Sequence, residues 1–279
     1  MVGVIVSHPA VTSLKFPPFF LLKTEKVGDP KLMENLEQEI AIMRDYLHGN
    51  IVQLFEHFSS QRYIYLVLEL CPGGDLSKFI KKRGRLDEPV AHVFLKQITD
   101  GLKFLQSKNV IHRDLKPANI LLSEASDRAL LKIADFGFAK QLAEVASMAQ
   151  TPCGSPLYMA PEIFEMQEYD AKADVWSIGC IFFEMLVGTP PFKGSNPRDL
   201  FQNIRTKQLQ VPADVVVGSD SLSILRKLLE RTPQRRASLD QVHVHPHPSP
   251  TSLRHLQPSP SPLSLTHGCP PGPGNRCVS

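Results

Sequence analysis

The eight residues His112–Arg113–Asp114–Leu115–Lys116–Pro117–Ala118–Asn119, followed after a short segment by Asp135–Phe136–Gly137, constrain this chain more than any other feature. Asp114 is a carboxylate able to orient an attacking hydroxyl and accept its proton. Lys116 is a cation two positions on. Asn119 and Asp135 are oxygen ligands suited to magnesium. A base, a cation beside the transferring phosphate and two metal ligands on the far side of a nucleotide are what phosphoryl transfer requires. The fold must bring these four side chains to one cleft.

Ala160–Pro161–Glu162 extends the series, and the order and spacing of the three motifs resemble the signature set of eukaryotic protein kinases. The resemblance covers about residues 20–242. It implies an α+β fold of two lobes. A truncated β-rich small lobe is expected over 20–70 and a mainly helical large lobe over 71–242. An atypical segment, 1–19, precedes them and a Pro/Ser-rich tail, 243–279, follows. ATP and Mg²⁺ are the implied cofactors, and proteins bearing Ser or Thr the implied substrates.

The chain's 279 residues are near the size of such a catalytic domain, and 42% apolar residues suffice for a core. A net charge of +3 makes no case for nucleic-acid binding. The cluster Lys81–Lys82–Arg83–Gly84–Arg85 reads as a solvated helix end. Five cysteines without metal or disulfide-framework spacing favour a reducing, cytoplasmic setting. Val2–Val6 is too short for a signal core and lacks a basic flank. The longest apolar run, Val175–Val187, is too short to span a bilayer, so no transmembrane segment is expected. Nine prolines in the last 37 residues predict a disordered tail. The alternating His243, His245 and His247 lack nearby partner ligands, which disfavours a metal site.

Local patterns predict the elements. Phe20–Leu22 read as a buried strand leading to Lys23. Asp29–Pro30 open a helix carrying Leu36, Ile40, Met43 and Leu47 on one face, with Glu39 on the same helix. Ile51–Leu54 and Tyr63–Leu68 read as strands, and Pro72–Gly73–Gly74 breaks the chain. Phe94, Ile98, Leu102 and Leu105 mark an amphipathic helix. Val175–Val187, apolar nearly all round, reads as a helix buried on every side, with Cys180 packed in it.

The resemblance assigns further roles. Lys23 would grip nucleotide phosphates and be held by Glu39. Glu69–Leu70–Cys71 would be the hinge that meets adenine, with Leu68 as gatekeeper, Asp75 towards the ribose and Leu121 as the floor of the pocket. Lys116 and the segment Gly154–Glu162, with Ser155 against the catalytic loop, resemble serine/threonine rather than tyrosine kinases. Thr151 is a candidate phosphorylation site with Arg113 as partner, set against a plain loop threonine. Glu162 is expected to pair with Arg236. Phe138 after Asp-Phe-Gly, Gly154–Met159 and Cys71–Leu76 resemble the ULK family of autophagy-initiating kinases, which implies autophagy-initiation partners.

One departure stands out. Gly3 is the only glycine before Lys23, so no G-x-G-x-x-G precedes that lysine, and Leu21 sits where the family has a small alanine. The abrupt starts and ends of the resemblance fit either an incomplete or misjoined sequence or a true variant. Two readings follow: an active serine/threonine kinase, or a catalytically impaired interaction module on the same fold.

Overall fold

The computed structural model describes residues 19–25, 37, 40–41, 43–136, 140–141, 155–165 and 170–244, with the side chains of 23–25, 140–141 and 243–244 excepted. The small lobe is built on an antiparallel sheet of order β1-β3-β2: β1 (Phe19–Glu25), β2 (Leu54–Ser59) and β3 (Tyr63–Glu69). β3 lies centrally because Ile64, Leu66 and Val67 fill the core while its β-branched and aromatic neighbours suit a pleated surface. A register shift between Leu54 and Glu56 marks a bulge in β2.

The strand expected at Ile51–Leu54 lies further along, at Leu54–Ser59. Its outer residues are mostly exposed, as befits an edge strand, so the buried apolar pattern pointed to the wrong span. Residues 50–53 are stitched elsewhere: Val52 N–H donates to Ile133 O at 2.9 Å, and Ile51 forms a parallel bridge with Ile133. Helical backbone at Glu37, 40–41 and 43–45 agrees with the expected helix, and Ile40 and Met43 are buried. Leu47 falls beyond the helix end and is 69% exposed, because the helix stops before the periodic pattern does. Asp29, Pro30, Leu36 and Glu39 lie outside the described residues.

The large lobe is mainly helical. It comprises α1 (Leu76–Arg83), α2 (Glu88–Ser107), α3 (Pro161–Phe164), α4 (Lys172–Val187), α5 (Pro197–Thr206), α6 (Ser219–Leu228) and α7 (Leu239–Val244). Two small antiparallel ribbons join them: β4 (Val110–Ile111) with β7 (Lys140–Gln141), and β5 (Ile120–Leu122) with β6 (Leu131–Ile133). Phe94, Ile98, Leu102 and Leu105 form the buried face of α2, which packs against α4. Lys81, Lys82 and Arg83 are the exposed basic last turn of α1, where cations complement the helix dipole.

α4 begins three residues before the apolar run and is buried on all sides, Trp176, Cys180 and Phe182 completely. It ends on Gly188, whose φ of 87° is left-handed and whose N–H donates to Glu184 O at 2.7 Å. A Cβ there would lie 2.0 Å from the carbonyl oxygen of Gly84, so the ends of α1 and α4 meet only because residue 188 lacks a side chain. Among the described residues no helix is long and apolar enough to cross a membrane.

Candidate active site

The catalytic loop hangs between β4 and a short 3-10 turn, Pro117–Asn119. Its backbone is held by a residue that the motifs did not reveal. Asp174, in the first turn of α4, accepts from His112 N–H at 2.8 Å and from Arg113 N–H at 3.0 Å. Arg113 has φ 71°, a left-handed backbone that costs a side-chain-bearing residue about 1–3 kcal/mol and persists only when its surroundings impose it. The two charge-assisted bonds supply that constraint. Asp174 is 4% exposed. Burial pushes its carboxyl above the usual range, while His112 and Arg113 pull it back.

Asp114 sits at the centre of the site, 4% exposed. Lys116 Nζ donates to Asp114 Oδ2 at 2.6 Å. Asn119 Nδ2 donates to the same oxygen at 3.2 Å and to the Asp114 carbonyl at 2.9 Å. Ser155 Oγ donates to Asp114 Oδ1 at 3.0 Å, joining the loop to the segment that precedes Ala160–Pro161–Glu162. The sequence-expected Asp114, Lys116, Asn119 and Ser155 therefore converge on one carboxylate.

Asp135 is brought to the same place by β6. Ala134 N–H donates to Asn119 O at 2.9 Å, so the residue before Asp135 is tied to the residue that shares its expected task. His112 Nε2 donates to Ala134 O at 3.1 Å, and the His112 ring lies 5.3 Å from that of the buried Phe136. Asp135 is half-buried with φ 65°, a second strained backbone at the site.

The residues present fit a hard cation. Both donated bonds of the Asn119 amide go to Asp114, which leaves its Oδ1 as an acceptor with no partner among the described residues. Among these residues no group of three or more His, Cys, Asp or Glu side chains forms a closed metal cage. Mg²⁺ takes one or two protein oxygens and completes its shell with phosphates and water, and Asn119 Oδ1 is an oxygen of that kind.

The residues expected to meet the nucleotide lie on β3, on β5 and at the start of α1. Leu68 and Leu121 are half-buried, and Leu121 bridges to Asp75 across the entrance to α1. The Cys71 amide N–H has no partner among the described residues and is thus available as a donor. The Cys71 thiol is pushed up to about 11 by burial and by Glu69. Glu69 pairs with Lys132 at 2.7 Å. Asp75 is already engaged: Oδ1 caps α1 by accepting from Lys78 N–H at 2.8 Å, and Oδ2 pairs with Lys78 Nζ at 2.9 Å. Lys23 lies on β1 opposite Tyr65. Its side chain, Glu39 and Thr151 lie outside the described residues.

Below the site, Glu162 and Arg236 form the expected pair, with Nη1–Oε1 at 2.7 Å and Nη2–Oε2 at 2.9 Å. Tyr158 donates its hydroxyl to Glu184 Oε2 at 2.6 Å, and Ser177 Oγ donates to Tyr158 O at 2.8 Å. Asp174 and Glu184 were missed because neither belongs to a short motif. The available signal was two carboxylates inside a helix otherwise fit for complete burial.

Comparison with known proteins agrees with this geometry. The family model described as protein kinase domain matches residues 20–247. A serine/threonine-protein kinase ATG1a of Arabidopsis thaliana is 46% identical over 224 residues, covering 79% of this chain and 36% of the relative. The Dictyostelium discoideum serine/threonine-protein kinase atg1 is 43% identical over 218 residues, 77% of this chain and 32% of the relative. That of Schizosaccharomyces pombe is 38% identical over 248 residues, 75% and 30%. The chain spans about a third of the length of these relatives. The ULK-type resemblance is borne out by these ATG1 kinases. With the family model matching residues 20–247, most of its length, the chain belongs to the protein kinase domain family.

Proposed function

We propose that this chain is a serine/threonine protein kinase domain, over residues 20–242, that transfers the γ-phosphoryl group of ATP to Ser or Thr hydroxyls of proteins. The observation that carries the reading is the Asp114 carboxylate held at once by Lys116, Asn119 and Ser155. Asp114 orients the incoming hydroxyl and accepts its proton. Lys116, fixed at Oδ2 of the same carboxylate, places positive charge where negative charge develops. Asn119 and Asp135 are the oxygen ligands for Mg²⁺. Mg²⁺ supplies charge neutralisation on the phosphates of bound ATP. Positioning and preorganised electrostatics carry most of the rate in such a reaction. Leu68, Leu121 and the Glu69–Cys71 backbone receive adenine, with Lys23, held by Glu39, at the phosphates and Asp75 near the ribose.

The likeness to ATG1 kinases supports a role in starting autophagy, with cytoplasmic partners of that process as substrates. Thr151, with Arg113 as its phosphate partner, is the proposed activating site; mass spectrometry after incubation with Mg-ATP should find it phosphorylated, and full activity in Thr151→Ala would remove it. The central test is transfer of labelled phosphate from ATP to a generic Ser/Thr protein substrate. Wild-type chain should label serine or threonine, and Asp114→Asn should not. Undiminished labelling by Asp114→Asn would refute the reading.

A further inference from the structure

Lys132 is a buried cation outside the catalytic motifs. Its side chain is 11% exposed, and its ammonium lies 2.7 Å from Glu69 Oε1. A buried lysine is costly unless paired, and the Glu69 carboxylate is its partner here. The second oxygen of Glu69 faces Gln53 N–H at 3.4 Å, and Glu69 N–H donates to Gln53 O at 2.9 Å. Residues 50–53 are in turn bonded on their other side to β6, through Val52 N–H to Ile133 O and Ile133 N–H to Asn50 O, both 2.9 Å. The circuit is closed: β6, residues 50–53, the hinge glutamate and back to β6 through Lys132.

β6 is also the strand that sets both ends of the nucleotide site. Lys132 is the register partner of Leu121, the floor of the expected adenine pocket. Ala134, just beyond β6, is bonded to Asn119, and Asp135 follows it. The segment Leu131–Asp135 thus touches the hinge by a side chain, the floor by its ladder and the metal ligands by its end.

We propose that Lys132 is a positioning residue for the nucleotide. Through its ion pair with Glu69 it locks the hinge to β6, and so fixes the span between the adenine-binding edge at Glu69–Cys71 and the metal ligands Asn119 and Asp135. The inference rests on the proposed nucleotide-binding role of the hinge. Lys132 touches no reacting atom. It acts on where adenine sits, and its loss weakens ATP binding far more than it slows transfer. Protein-substrate binding is unaffected.

The test compares Lys132→Met, Lys132→Arg and the swapped pair Lys132→Glu with Glu69→Lys in the full chain. Steady-state kinetics should show KM for ATP raised about tenfold in Lys132→Met, equivalent to about 1.4 kcal/mol. kcat and the KM of the protein substrate should stay within about threefold, on the reasoning that the lost interaction is uniform binding. Lys132→Arg and the swapped pair should recover most of the ATP affinity. Hydrogen exchange of the Glu69 amide, protected by Gln53 O in the wild type, should speed up in Lys132→Met alone. Wild-type affinity in Lys132→Met overturns the inference, as does a Lys132→Arg chain as impaired as Lys132→Met. The proposed hinge role fails separately, as absence of ATP binding by the wild-type chain. Unchanged Glu69 exchange in Lys132→Met then counts against the tie on its own.

Discussion

The guanidinium of Arg236 grips the carboxylate of Glu162 through two parallel hydrogen bonds, with the arginine side chain wholly buried and the glutamate side chain 3% exposed. The remaining donors are used as well, by the carbonyls of Lys172, Glu230 and Arg231, and the cation stacks 5.2 Å from the Trp176 ring. All of an arginine's N–H groups are therefore satisfied. Removing one partner of a buried pair strands the other. Glu162→Ala should cost about 3–5 kcal/mol of unfolding free energy in urea titration. Arg236→Lys should also destabilise clearly, since an ammonium cannot reproduce the planar fork. Wild-type stability in both would show that the pair is not a structural keystone.

Asp114→Asn removes the base while keeping the side chain's shape and one of its two acceptor oxygens. kcat should fall by about 10²–10⁴, the usual contribution of general base catalysis. Affinity for Mg-ATP should change little, because Asp114 is assigned to the hydroxyl and not to the nucleotide. Asp135→Ala should behave differently: isothermal calorimetry should lose the Mg²⁺-dependent part of ATP binding. Equal loss of metal dependence in both variants would mean the two roles are wrongly divided.

Glu184 gives a pH prediction. Burial, the largest influence, raises its carboxyl above the usual value, against the opposing effects of the Tyr158 hydroxyl and Lys193. Burial likewise raises Tyr158, reinforced by its bond to Glu184. The native state then holds the Glu184 proton more tightly than the unfolded chain. Stability from this group is complete below the unfolded value and is lost as pH rises through the folded one. Glu184→Gln keeps the acceptor for Tyr158 but cannot ionise. Relative to wild type, its urea midpoint should improve as pH rises above the ordinary carboxylate range. A difference that is flat or of opposite slope would contradict the assignment.

Gly188→Ala combines a left-handed backbone, costing about 1–2 kcal/mol for a residue with a Cβ, with a direct collision against the Gly84 carbonyl. Thermal melting should reveal a loss of at least about 2 kcal/mol. Gly84→Ala, which meets nothing within 4 Å despite its φ of 79°, should cost less.

The legible parts of the site were those whose chemistry needs neighbours in sequence. Asp114, Lys116 and Asn119 work from one loop, so their spacing is the geometry. The Glu162–Arg236 pair was legible only through resemblance, because 74 residues separate its members. Asp174 was not legible: it acts on backbone N–H groups, which leave no pattern in side-chain identity. Lys132 was hidden for the same reason that β2 was misplaced, since Asn50 and Val52 spend backbone bonds on β6 and not on a ladder of their own. Helices α2 and α4 were read well because a continuous apolar face or core is a statement about periodicity, whereas Leu47 shows that periodicity alone does not say where a helix stops.

The anchoring of the catalytic loop by Asp174 has a thermodynamic corollary. His112 and Arg113 are immobilised by a helix of the core, so the conformational entropy of that loop is surrendered when the chain folds. Substrate encounter then faces no ordering penalty on this side of the cleft, which favours tight capture by a surface already shaped for it. Heating should disassemble the loop only with the large lobe as a whole: catalytic competence and the packing of α4 should vanish at one temperature, as a single cooperative unit.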